Sequence, residues 1–67
     1  MDSNRGTMSV CWHLQNDEYA RLLIDSLGLR EPMQFENLCG YLWLRETPDG
    51  LPLDDVDWQE VADIFSK

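Results

Sequence analysis

Three side chains in this sequence have types suited to soft-metal or nucleophilic chemistry: Cys11, His13 and Cys39. Tetrahedral zinc usually draws four closely organised Cys or His ligands, often in paired C-x₂₋₄-C or H-x₃₋₅-H spacings. Here one residue separates Cys11 from His13, Cys39 is remote, and a carboxylate would have to complete the set. A thiolate with its base is the other reading, but no oxyanion donor or orienting third group is identifiable beside them. "MDSNRGTMSV" contains no apolar secretory core, so a cytoplasmic, reducing setting is expected. Both cysteines are then expected to be small packing residues, with no metal, disulfide or cofactor.

The acids offer a second chemistry. Counting Asp49 as position 1 puts Glu60 at position 12, as in a calcium-binding helix–loop–helix loop. Positions 3 and 5 are then Leu51 and Leu53, and Asp54 stands where the loop needs glycine, which excludes the standard site. Paired carboxylates doing acid–base work need an apolar pocket to move a pKa, and aspartates on a short solvent-facing helix have none. An enzyme is not expected.

What remains is the stretch "PLDDVDWQEVADIF", with acids at Asp54, Asp55, Asp57, Glu60 and Asp63 and no Lys or Arg between Arg45 and Lys67. Acids in a first helical turn suit the helix dipole, and an outward polar face keeps a core helix soluble. Those two effects explain Asp54, Asp55 and Asp57 well. They do not explain why seven acids from Glu46 to Asp63 have no local counter-charge.

The whole chain repeats that bias. Thirteen acids against five bases in 67 residues give a formal charge of −8. Carboxylates repel phosphate, so free nucleic acid and anionic membrane are poor partners, whereas a basic protein surface would be attracted. A helix-turn-helix reader of DNA is disfavoured for the same reason, because the last helix carries Asp57, Glu60 and Asp63 where a groove-lying helix needs donors. No run approaches the ~20 apolar residues that span a bilayer.

The elements that must position these residues are short. Residues 1–7 read as a flexible arm, and 8–67 as a single small domain. In "MSVCWHL", Met8, Val10, Trp12 and Leu14 alternate with smaller or polar residues, which predicts a short extended segment or strand. A first helix is predicted near Asn16 to Leu27, with Asn16 as N-cap and Tyr19, Leu22, Leu23 and Leu27 as its core stripe, broadened by Ile24; Gly28 supplies a left-handed stop. A second helix begins near Pro32, with Phe35, Leu38, Cys39 and Leu42 inward and Gly40 as a point of close helix approach. Its competitor makes residues 40–53 a hairpin turning at "TPDG", at the cost of Pro52 in the return strand. A third helix runs from about Asp54 to Ser66, capped by Asp54 or Asp57, with Trp58, Val61, Ile64 and Phe65 in the core.

The expectation is therefore a mainly α, three-helix domain with a short N-terminal extended segment. Its expected role is a small acidic protein-binding module: an inhibitor, of the nucleic-acid-mimic kind, that covers a basic nucleic-acid-binding surface. A phage or mobile-element protein opposing host defence would have this size and charge. The acids Asp54, Asp55, Asp57, Glu60 and Asp63 would make the contact, with Tyr41 and Trp43 as aromatic anchors. Two alternatives stand beside it: an obligate homo-oligomeric structural or regulatory subunit such as a homodimer, and an immunity or antitoxin partner. The unpaired "MSVCWHL" segment is the cue for the oligomer, since lone strands need partners.

Overall fold

A computed structural model describes residues 4–66 of the chain. Four α-helices follow in order: α1 Arg5–Asn16, α2 Glu18–Leu27, α3 Pro32–Trp43 and α4 Trp58–Phe65, with one turn of 3₁₀ helix at Leu53–Asp55 before α4. The fold is mainly α. Among the described residues there is no strand, only an isolated antiparallel bridge between Glu46 and Pro52, and no helix is long and apolar enough to cross a membrane.

The segment read as extended, Met8 to Leu14, is instead the middle of α1, so the described residues form four helices rather than three. The alternation was ambiguous because its members fall on two helical faces. Thr7, Val10, Cys11 and Leu14, spaced i, i+3, i+4, i+7, are buried, while Met8 and Trp12 sit together on the exposed side. Residues 4–7 are not an arm either. Asn4 caps α1 by accepting from the Thr7 amide at 2.7 Å, and Gly6 and Thr7 are buried. The rest of the expected arm, residues 1–3, lies outside the described residues.

Asp17 ends one helix and starts the next. Its amide donates to the His13 carbonyl at 2.9 Å, and its carboxylate accepts from the Tyr19 and Ala20 amides at 2.9 and 3.4 Å. The N-cap of α2 is thus Asp17, not Asn16. Gly28 closes α2 with φ 64°, the left-handed geometry that glycine adopts without a Cβ penalty. The core stripe expected on this helix is displaced. Ala20 and Ile24 are the buried residues, whereas Tyr19, Leu22 and Leu27 are more than half exposed.

Helix α3 needs no such revision over most of its length. Phe35, Leu38 and Cys39 are buried, and a Glu31–Gln34 capping box holds its start. A Cβ built at Gly40 would meet nothing within 4 Å, so this glycine is not a point of close helix approach. The helix ends at Leu44 (φ 68°, ψ −84°), where the Arg45 amide donates to the Trp43 carbonyl in a γ-turn of the rare, strained hand. Both readings of residues 40–53 thus hold in part: helix to Trp43, then a hairpin-like turn. Thr47 donates to the Leu51 carbonyl and Leu53 donates to the Arg45 carbonyl. Glu46 and Pro52 are therefore the non-hydrogen-bonded pair, and the missing proline donor costs the ladder nothing.

The core draws on every element: Val10, Cys11 and Leu14 from α1, Ala20 and Ile24 from α2, Phe35, Leu38 and Cys39 from α3, Leu53 and Val56 before α4, Val61 and Ala62 within it. Phe65 closes one end, stacked on Phe35 at 5.4 Å between centroids. Helix α4 packs on both α3 and α1. Helix α2 packs chiefly on α1, with no comparable contact to α3 or α4.

Candidate functional site

Ser9, His13 and Asp49 come together on the outside of α1. Asp49 Oδ2 accepts from Ser9 Oγ at 2.7 Å and lies 3.1 Å from His13 Nε2. This set contains the residue types of a catalytic triad in a different order: the carboxylate lies between hydroxyl and imidazole, and the Ser9 hydroxyl donates its hydrogen bond to Asp49. A triad needs the imidazole on the hydroxyl. The Ser9 and His13 hydrogen bonds, in that order, hold the Asp49 carboxyl below the ordinary carboxylate value. The arrangement works as a latch that fixes the 46–52 turn against α1. Trp12 and Trp43 flank His13 edge-on, with centroids at 5.0 and 5.9 Å.

Cys11 and Cys39 are both free and buried. Burial pushes the Cys39 thiol up to about 12, and burial with the nearby Glu60 charge pushes Cys11 up to about 11. Both are neutral thiols at physiological pH, and the thiolate is the nucleophile. Among the described residues no group of three or more His, Cys, Asp or Glu side chains is placed to hold a metal ion.

The expected acidic border divides. Asp54 and Asp55 lie exposed in the 3₁₀ turn. Asp57 caps α4 by accepting from the Glu60 amide at 3.2 Å, while its own amide donates to Thr7 Oγ1 at 2.8 Å. Asp63 is exposed and accepts from Gln59 Nε2 at 3.0 Å. Glu60 departs from the group: it is half-buried, on the side of Cys11. Its helical phase lies between the outward face and α1, which a three-residue spacing does not resolve. The exposed acids are thus Asp54, Asp55, Asp57 and Asp63. Among the described residues the one ion pair within 4 Å is His13–Asp49, and none of Arg5, Arg21, Arg30 or Arg45 reaches a carboxylate.

The two aromatic candidates also separate. Tyr41 is 72% exposed, but Trp43 is half-buried, packed on the core and against His13. Tyr41 stands at the edge of an open groove of about 410 Å³ between α2 and α3. Tyr19, Leu23, Leu27, Leu29 and Leu38 line it, with the amides of Gln34 and Asn37 at its side. Three of these residues, Tyr19, Leu23 and Leu27, belong to the stripe expected in the core. The available signal was width: Tyr19, Leu22, Leu23, Ile24 and Leu27 cover more of the helix circumference than one packing face can bury.

Set against protein-family models, curated proteins and solved structures, the chain matches none at a significant level.

Proposed function

We propose that this chain is a small acidic protein-binding module whose target presents a basic surface, and that it inhibits by covering that surface. The observation that supports the reading is the exposure of Asp54, Asp55, Asp57 and Asp63, none of which has a cation within 4 Å among the described residues. An ion pair made inside the fold would spend this charge locally. Left unpaired, the carboxylates project a one-signed field, which steers encounter with a positive surface and disfavours acidic partners. Tyr41 and the exposed Trp12 are aromatic side chains available to add contact area.

Asparagine substitution separates charge from fold here. Asn is as good an N-cap as Asp, so Asp57→Asn keeps the start of α4 while removing the charge. The test immobilises the chain, exposes it to an extract of its source cells at low salt, and compares it with the fourfold variant Asp54→Asn, Asp55→Asn, Asp57→Asn, Asp63→Asn. The reading expects a protein retained by the native chain and lost by the variant, and expects that protein to release bound nucleic acid when the native chain is added. Equal retention by both chains would contradict it.

A further inference from the structure

We propose that the α2–α3 groove is the interface of a homodimer, in which two copies bring their grooves together about a two-fold axis. The inference stands apart from the acidic edge and uses none of its carboxylates; of the residues named for target contact it shares Tyr41 alone.

The first support is charge. The groove lining contains no charged residue, although the chain is 27% charged with a net −8. A partner chosen by charge would be met by carboxylates. Two copies of an acidic chain, by contrast, can approach only through a patch free of them, with the acids of residues 46–63 placed elsewhere.

The second support is the packing of α2. This helix is held by Ala20 and Ile24 against the rest of the core, and packs on no helix comparably besides α1. Of its broader apolar sector, Tyr19, Leu22 and Leu27 are more than half exposed, and Leu23 is half-buried against the core. Contiguous apolar surface of this kind on a small acidic chain marks an interaction site. Exposed Tyr19, Leu27 and Tyr41, with neighbouring Leu22 and the half-buried groove floor, offer on the order of 500 Å², below the ~800 Å² per partner of a standard interface. The contact is therefore a weak one that forms in the micromolar range.

Shape gives the third support. A two-fold contact requires one patch to carry both projection and recess. Tyr41, 72% exposed, stands beside the groove it helps to line. The Asn37 side chain, exposed at the same edge, brings both donors and an acceptor, so it can pair with its own symmetry mate.

Sedimentation equilibrium of the full chain from about 1 to 100 μM tests this, together with melting temperature over the same range. The expected result is a mass rising toward twice the 7.8 kDa of the chain, a melting temperature that rises with concentration, and association that salt leaves intact or strengthens. Joint Leu27→Asp and Tyr41→Asp should weaken association about tenfold or more, while Trp12→Asp, equally exposed but outside the groove, should leave it unchanged. If the double variant does not fold, the concentration dependence of the native chain decides. A native monomer with a concentration-independent melting temperature would overturn the proposal, as would a dimer broken by Trp12→Asp and spared by the groove variant. Neither outcome depends on the acidic edge, whose partner binding weakens with salt.

Discussion

Ser9 Oγ and Asp49 Oδ2 stand 2.7 Å apart across forty residues of sequence, and that bond ties the turn after α3 to the surface of α1. Ser9 is 7% exposed, so the donor is aimed by packing rather than by chance contact. Ser9→Ala is expected to lower the melting temperature and to speed hydrogen exchange at the Gly50 and Leu51 amides, which close the turn on Thr47. Exchange unchanged at those amides would show that the turn holds without the latch.

The same latch sets a pH dependence. The folded Asp49 carboxyl titrates below its ordinary value, so the folded state binds its proton more weakly than the unfolded chain does. Its contribution is therefore complete above the unfolded carboxyl pKa and is lost as pH falls through the depressed folded value. Melting temperatures of the native chain and Asp49→Asn should differ in favour of the native chain at neutral pH, with the gap closing below about pH 4. A gap that persists or widens in acid would contradict this account.

Raised thiol values make the opposite statement about alkali. Folded Cys11 and Cys39 hold their protons to about 11 and about 12, so their neutral burial stabilises the fold below the ordinary thiol pKa, and that contribution declines as pH rises through the folded values. At neutral pH neither thiol should react with a water-soluble labelling reagent in the native chain, and both should react after unfolding. Prompt labelling of the native chain at one thiol per molecule would contradict the burial described for that residue.

Two substitutions in α3 should move stability in opposite directions. Gly40 lies within the helix with open space at its Cβ position, so Gly40→Ala is expected to add about 0.5–1 kcal/mol. Phe35 is fully buried and stacked on Phe65, so Phe35→Ala should cost roughly 3–5 kcal/mol. A core this small supplies roughly 3–5 kcal/mol in all, so Phe35→Ala should leave the chain largely unfolded by circular dichroism at 25 °C, while Gly40→Ala melts higher than the native chain.

The parts of this fold legible in sequence are those with local stop and start chemistry. Gly28, Pro32 and Asp57 mark helix ends by their own conformational limits or hydrogen bonds, and each does so in the structure. Helix α1 escaped because Met8, Val10, Trp12 and Leu14 fit a period of two as well as two faces of a helix. Only the burial of Thr7 and Cys11 separates the cases, and burial is a tertiary fact. The uncovered side of α2 escaped for a related reason: sequence shows that the apolar sector is wide, but not which part meets a neighbour. The Ser9–His13–Asp49 latch joins residues with no shared motif, and no spacing rule reaches across forty positions. The lone extended segment that suggested an oligomer is gone, and the α2–α3 groove replaces it as the observation bearing on self-association.

The central claim is that the chain binds through the exposed acids of its C-terminal half. The measurement that tests it most directly is the dissociation constant for a captured target at about 50 and 200 mM salt, for the native chain and for the fourfold asparagine variant at Asp54, Asp55, Asp57 and Asp63. The account expects tight binding at low salt that weakens steeply with added salt for the native chain, and for the variant weaker binding with little salt dependence. A variant that binds as tightly as the native chain at low salt, with the same salt dependence, would contradict it.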